Sequence, residues 1–213
     1  MRLKMRKLPN GISNYEQIVK ENRIYVDKTK YIEKLEDLSD HTIMFLRPRK
    51  FGKTLFTSTL ECYYDINKKD KFGELFKNTY IVKNPTPNRN KYCILRFNFS
   101  GVNTDTIEST LKGFREKVDL GINAFVESYG LDFYNNPEQS TEALLGNLFQ
   151  AFRFQLIEQK IYVIIDEYDH FANELLGFRT DEFKNLIAKN GKIRKWYEIL
   201  KEGTETVVDR IFI

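Results

Sequence analysis

The sequence predicts an α/β fold with a mainly parallel sheet and helices on both of its faces. Four strand-like apolar runs recur along the chain, and stretches with helical spacing separate them. The runs occupy residues 42–46, 92–99, 161–165 and 207–213. Strands that alternate with helices pair in parallel through right-handed crossovers, so the four runs are expected to form one sheet.

Length and composition indicate a packed globular protein. The 213 residues suffice for one sizeable core, and the apolar content of 41% argues against disorder. The net charge of +4 is too small to indicate a class of partner. Four basic residues crowd the start of the chain and could contact nucleic acid or a membrane, although a solvated terminus is the simpler interpretation. They are Arg2, Lys4, Arg6 and Lys7.

No apolar stretch reaches the roughly 20 residues of a membrane span, and no apolar signal core follows the basic start. We therefore expect a cytoplasmic protein without membrane contact. Cys62 and Cys93 lie in apolar or aromatic segments, which predicts buried thiols and neither a disulfide nor a metal site.

The chain is expected to consist of a lead-in, residues 1–40, and a core, residues 41–213. Within the lead-in we predict a helix around 15–21, a brief strand at Tyr25-Val26, and a helix over 28–38 that Asp27 caps. In the core, the run at 42–46 is typical of a buried parallel strand. Helices are expected from Lys53 to about 66 and over 104–129, 137–159, 169–188 and 191–201, with a loop at 83–91.

The segment between the first strand and the next helix resembles a phosphate-binding loop (P-loop). Gly52, Lys53 and Thr54 follow an apolar run and open an amphipathic helix, but Arg47 replaces the first glycine of G-x-x-x-x-G-K-[ST]. Gly52 would let the backbone approach phosphate, Lys53 would reach the β- and γ-phosphates, and Thr54 would bind Mg²⁺. The loop backbone would hold the remaining phosphate oxygens; it comprises Arg47, Pro48, Arg49, Lys50 and Phe51. The alternative is a basic surface turn.

A second motif supports this interpretation. The third apolar run ends in Asp166-Glu167, as a Walker B strand does, at the strand end where open α/β sheets place ligands. Asp166 would hold Mg²⁺, and Glu167 would orient and deprotonate the attacking water. The alternative is that both residues cap the next helix. Together the two motifs predict a three-layer P-loop NTPase fold of the ASCE or RecA-like type.

Other polar residues are weaker candidates. Asp169 and His170 could sense the γ-phosphate, but a helix cap and a first-turn residue are the simpler interpretations. Several cations could act as arginine-finger-like groups, and nothing in the sequence singles one out. These are Arg179, Arg194, Lys195 and Arg210.

Five segments together resemble the prokaryotic AAA-ATPase-like family: Leu8–Gly11, Tyr25–Ile32, Phe45–Thr54, Phe97–Gly101 and Ile164–Asp169. The resemblance implies ATP and Mg²⁺ as ligands, and arginine at the first glycine position of the loop is also usual in this family. Family members pair such a domain with a C-terminal PD-(D/E)XK nuclease-like domain, through which they could contact nucleic acid. This sequence carries no such region, so we assign it no nuclease activity.

The resemblance also predicts the strand order. In P-loop ATPases that have a strand inserted between the Walker A and Walker B strands, the spatial order of the strands in the sheet is 5-1-4-3-2. The four apolar runs of this chain supply strands 1 to 4. We therefore expect a fold truncated before its last strand, with the first strand at an open edge. Whether the protein is oligomeric stays open.

Two hypotheses follow. The first is an ATP-binding P-loop domain, either a weak ATPase or an ATP-dependent switch coupled to a missing effector. The alternative is a nucleotide-independent module that binds nucleic acid or protein, with a degenerate loop.

Overall fold

The computed structural model describes residues 6–48, 50–156, 158–168 and 191–213. The chain divides into two compact units. The first comprises Met1–Asp40 and Phe45–Tyr92, and the second comprises His41–Met44 and Cys93–Ile213. The described residues form eight α-helices, one 3₁₀ helix and four strands.

Helices build the first unit. They are α1 (Tyr15–Lys20), α2 (Lys30–Glu36), α3 (Lys53–Tyr64), a 3₁₀ helix (Ile66–Lys71), α4 (Phe72–Leu75) and α5 (Tyr80–Lys83). Tyr15 anchors α1 in the core of this unit, since its backbone N–H donates to Ser58 Oγ (2.9 Å) and its hydroxyl donates to the carbonyl of Leu75 (2.8 Å). The predicted helices at 15–21 and from Lys53 are confirmed.

Two predictions for the lead-in are wrong. Tyr25 and Val26 form no strand, and Asp27 is not the cap of α2, which begins one residue after Thr29. The Asp27 carboxylate instead accepts hydrogen bonds from the backbone N–H groups of Thr29 (2.8 Å) and Tyr80 (2.6 Å). Asp27 therefore ties the segment before α2 to the start of α5, a contact that helix periodicity does not reveal.

A four-stranded parallel sheet forms the centre of the second unit. Its strands are β1 (Thr42–Ile43), β2 (Tyr92–Asn98), β3 (Lys160–Asp166) and β4 (Val208–Phe212), in the order β1-β4-β3-β2. This order confirms the prediction for strands 1 to 4. Ile43 on β1 and Ile164 on β3 both align with Phe212 of β4, so β1 and β3 end at the same edge of the sheet.

The first strand is much shorter than expected. Only Thr42 and Ile43 pair with β4, and the predicted burial of residues 44–46 is wrong for Met44 and Leu46, which are 58% and 71% exposed. Beyond the paired residues, Ile213 N–H donates to the carbonyl of Ile43 (2.9 Å). Residues 44–46 thus leave the sheet before the loop begins.

Three long helices complete the described part of the second unit: α6 (Ile107–Tyr129), α7 (Thr141–Gln155) and α8 (Lys192–Gly203). Trp196 of α8 is fully buried and makes edge contacts with Phe97, Phe99 and Phe114, at ring-centroid distances of 4.9, 5.9 and 5.4 Å. Trp196 therefore anchors α8 in the core of the second unit. The helix predicted over 169–188 lies outside the described residues.

Both cysteines are free, and both are buried as predicted. Burial raises the pKa of the Cys62 thiol to about 12, so Cys62 is an unreactive core side chain. None of the described helices combines the length and the apolar character that crossing a membrane requires.

Candidate functional site

The loop segment lies in the first unit and turns directly into α3. Phe51 N–H donates to the carbonyl of Pro48 (3.4 Å), which closes the turn. Gly52 follows with φ 77° and ψ 30°, and α3 begins at Lys53. An L-residue with a Cβ is disfavoured in this left-handed conformation, so the turn favours glycine at position 52.

The replacement of the first glycine by Arg47 causes no backbone conflict. Among the described loop residues, positive φ angles occur at Lys50 (69°) and Gly52 (77°). Arg47 therefore does not need the freedom of glycine, and its guanidinium lies 5.2 Å from the ring centroid of Phe45. The left-handed conformation of Lys50 costs on the order of 1 kcal/mol, which is typical of functional loops.

The start of α3 favours an anion. Its N-cap residue, Gly52, has no side chain with which to cap it, and its first turn contains no acidic residue. The positive end of the helix dipole and the first backbone N–H groups are thus not neutralised by a carboxylate from the helix itself. Lys53 and Thr54, the residues assigned to phosphate and Mg²⁺, occupy this first turn and are half-buried.

Lys28 is a second cation at the loop, and sequence reasoning missed it. Its ammonium group donates to the carbonyl of Phe51 (3.2 Å) and would lie 3.9 Å from a Cβ placed on Gly52. The Asp27 hydrogen bonds described above hold the preceding residue in place. The signal in the sequence was the polar triplet Asp27-Lys28-Thr29, in which we predicted Asp27 as a cap and Lys28 and Thr29 as the first residues of the helix.

Asp166 lies at the end of β3 in the second unit and is fully buried. Its Oδ2 accepts a hydrogen bond from Arg96 Nη2 at 3.2 Å, and the Arg96 side chain is 26% exposed. The backbone carbonyl of Asp166 also accepts from Phe99 N–H (3.1 Å). A buried carboxylate needs a charge partner, and an arginine from the neighbouring strand β2 provides it.

Sequence reasoning also missed Arg96. The signal was present, because Arg96 is the only charged residue in the apolar run 92–99. A single cation in a buried strand predicts a carboxylate partner. The partner is 70 residues away along the chain, so its identity required the fold.

Glu167 follows Asp166 in a left-handed conformation, with φ 59°. Its backbone N–H donates to Asp166 Oδ1 (3.1 Å), and its side chain is partly exposed. A non-glycine residue in this region is uncommon and is often found at functional sites.

The structure thus brings Lys28 together with the loop and Arg96 together with Asp166, each pair within one unit. Arg49, Asp169, His170 and Arg179 lie outside the described residues, as do Arg2 and Lys4. Arg194 forms a surface pair with Glu198 (2.9 Å), and Arg210 lies 4.0 Å from Asp209.

No side-chain cluster of the described residues forms a metal site by itself. Among the described residues, no group of three or more His, Cys, Asp or Glu side chains gathers as a metal site. A hydroxyl such as that of Thr54 suits a hard cation that takes most of its oxygens from phosphate and water. Mg²⁺ in nucleotide sites is bound in this way.

Comparison with known proteins identifies a family. Residues 9–213 match the model of the AAA-ATPase-like family, which is described as predicted AAA-ATPase. Neither the curated proteins nor the solved structures contain a match.

Proposed function

Since the chain belongs to the AAA-ATPase-like family, we propose that it binds ATP with Mg²⁺ at residues 47–54 and acts as a slow ATPase or an ATP-dependent switch. The single observation that carries the proposal is the left-handed turn at Gly52, which delivers Lys53 and Thr54 to the start of α3. That start attracts phosphate through its backbone N–H groups and its dipole.

Each loop residue has a distinct role in this proposal. Lys53 binds the β- and γ-phosphates, and the Thr54 hydroxyl is a ligand of Mg²⁺. Lys28, already bonded to the Phe51 carbonyl, adds positive charge beside the turn. Arg47, Pro48, Arg49, Lys50 and Phe51 provide the loop backbone.

We assign Asp166 and Glu167 the Walker B roles from their sequence motif and from their place at the end of β3. Within the second unit, β1 and β3 end at the same edge of the sheet. Asp166 would bind Mg²⁺ directly or through a water molecule. The bound Mg²⁺ would in turn neutralise negative charge on the phosphates. Glu167 would accept a proton from the attacking water. The Arg96 guanidinium bonds the same Asp166 carboxylate that would bind Mg²⁺. We therefore expect Arg96 to position that carboxylate.

Calorimetric titration with Mg-ATP tests the binding proposal. Wild-type protein should bind, Lys53→Ala should lose binding, and Lys112→Ala, which removes an exposed lysine of α6 outside the site, should bind as the wild type does. Equal affinity of Lys53→Ala and wild type would show that residues 47–54 are not the phosphate site. Salt-sensitive nucleic-acid binding that ATP does not alter would favour the nucleotide-independent module instead.

Hydrolysis is tested separately. Glu167→Gln should retain Mg-ATP affinity and lose phosphate release, because the amide cannot accept the proton of water. Glu116→Gln, at an exposed position of α6, is the matched control. Undiminished turnover in Glu167→Gln would remove Glu167 from the role of general base.

A further inference from the structure

The turn at Glu167 is held firmly on the side that faces the sheet. Glu167 has a left-handed backbone conformation, which a non-glycine residue keeps only where its surroundings enforce it. On the preceding side, Phe99 N–H donates to the carbonyl of Asp166 (3.1 Å), and Arg96 bonds the Asp166 carboxylate (3.2 Å). The residue before Glu167 is therefore fixed through both its backbone and its side chain.

The following residue, Tyr168, is held by a ring contact. Its ring meets the ring of Tyr197 on α8 edge to face, with 5.3 Å between the centroids and an angle of 67° between the planes. Burial raises the pKa of both phenols above their ordinary value, so both side chains are uncharged at neutral pH. The contact is an aromatic pair of the favourable T-shaped kind.

Tyr197 belongs to a larger aromatic cluster. Its ring lies 5.0 Å from the ring of Trp196 and nearly perpendicular to it. Trp196 is fully buried and contacts the ring of Phe99 at 5.9 Å. Phe99 is also the residue whose N–H bonds the carbonyl of Asp166. One cluster thus reaches the chain on both sides of Glu167.

Resting on the proposed role of Glu167 as general base, we propose that Tyr197 is a positioning residue for this reaction. Through the ring of Tyr168, it holds Glu167 in the orientation that activates the attacking water. The ring of Tyr197 is the part that acts. Its hydroxyl is shielded from solvent and has no hydrogen-bond partner among the described residues.

Removing the ring of Tyr197 should lower kcat and leave the KM for Mg-ATP unchanged. Loss of an edge-to-face ring pair shifts a conformational equilibrium by about two- to tenfold. A general base that leaves its place slows the chemical step without weakening the binding of phosphate. We therefore expect Tyr197→Leu, which keeps an apolar side chain, to have a kcat about five- to tenfold lower and a KM within about twofold of wild type. Tyr197→Phe keeps the ring and should match the wild type.

The experiment measures phosphate release by the full chain over a range of Mg-ATP concentrations. Tyr168→Leu should show the same loss of kcat as Tyr197→Leu, and the double variant should be no slower than either single one, because all three break one contact. Ile199→Ala is the matched control on α8. Ile199 lies nearly opposite Tyr197 on this helix, and its side chain would lie 4.0 Å from a Cβ placed on Gly146 of α7. Its kcat should equal that of wild type.

Two further measurements separate positioning from a loss of folded protein. The stoichiometry of Mg-ATP binding by calorimetry gives the fraction of active protein, to which each kcat is normalised. Trp196 is the only tryptophan of the chain, so its emission maximum reports whether the core around α8 stays closed. Both quantities should be the same in Tyr197→Leu and in wild type.

The outcomes distinguish this inference from the proposed function. If Glu167→Gln abolishes turnover and Tyr197→Leu keeps the normalised kcat of wild type, the positioning role fails and the general base stands. Effects of Tyr168→Leu and Tyr197→Leu that multiply in the double variant, or an equal loss in Tyr197→Phe, would also overturn it. If the wild type binds Mg-ATP without releasing phosphate, the inference fails and the ATP site stands. If Mg-ATP does not bind, both fail.

Discussion

Replacing Arg96 with methionine should destabilise the protein by leaving Asp166 buried without its arginine. Asp166 is fully buried, and Arg96 Nη2 lies 3.2 Å from its Oδ2. Methionine retains most of the apolar stem of arginine, so the change removes charge more than packing. The prediction therefore isolates the electrostatic contribution of the pair.

The magnitude follows from the burial of the two side chains. Removing one partner of a buried ion pair costs about 3–5 kcal/mol. The Arg96 side chain is 26% exposed, so water partly replaces it and the expected cost falls to about 2–3 kcal/mol. Asp166→Asn removes the charge of the carboxylate at nearly constant shape. The free energy of unfolding of the double variant, Arg96→Met with Asp166→Asn, should exceed by about 1–2 kcal/mol the value expected if the two single effects were additive.

Urea unfolding at neutral pH measures these differences. Arg194→Met is the matched control, since Arg194 pairs with Glu198 on the surface, where both side chains are about half exposed. That variant should lie within about 0.5 kcal/mol of wild type. An Arg96→Met variant as stable as wild type, or a strictly additive double variant, would refute the assignment of Arg96 as the counter-ion.

Two further predictions concern stability. Hydrogen bonds from Lys20 and Lys68 lower the pKa of Glu16 to about 2. The Glu16 carboxylate therefore stabilises the fold at pH values above about 4.3, which is its pKa in the unfolded chain. This stabilisation is lost as the pH falls towards about 2. Because Lys20 is largely exposed, Glu16→Gln should cost only about 1 kcal/mol at pH 7 in urea unfolding, and a pH-independent difference would contradict this origin. Gly121→Ala should cost at least about 2 kcal/mol, because its Cβ would lie 2.6 Å from the Phe97 ring and 2.7 Å from the Arg96 carbonyl. Gly146→Ala is the control: its Cβ would lie 4.0 Å from the nearest atom, in Ile199, so this variant should be neutral or stabilised by up to about 1 kcal/mol. Similar melting temperatures for the two alanine variants would contradict the close approach of α6 to β2.

Strong local signals predicted much of the fold. β2 and β3 were recognised because both are almost continuously apolar, as fully buried strands are. The start of α3 at Lys53 followed from Gly52, which adopts the left-handed conformation that glycine favours. The strand order came from the family resemblance, and the pairing of β1, β4 and β3 confirms it.

The errors arose where distant contacts override local preference. The apolar run at 42–46 predicted a buried strand, but among the described residues only Thr42 and Ile43 pair with β4, and Met44 and Leu46 are exposed. Asp27 has the residue type of a cap, yet it binds the backbone at Tyr80, 53 residues away. Segment-by-segment interpretation cannot identify such partners.

In the candidate site, too, the residues marked by local motifs were predictable and those defined by distant contacts were not. The motif residues of the loop and the Asp166-Glu167 pair were evident from spacing and strand context. Lys28 and Arg96 were not, because each acts on a residue that is remote in sequence, Phe51 and Asp166 respectively. These two cations are what the structure adds to the proposed mechanism.

Thermal unfolding of the full chain in increasing Mg-ATP tests the central claim most directly. A ligand that binds only the native state stabilises it by about 2.7 kcal/mol at a hundredfold excess over its Kd, which is roughly 5–10 °C for a chain of this size. We predict that the melting temperature of wild type and Lys112→Ala rises with Mg-ATP concentration, whereas that of Lys53→Ala stays constant. A constant melting temperature in wild type, or an equal rise in Lys53→Ala, would contradict ATP binding at residues 47–54.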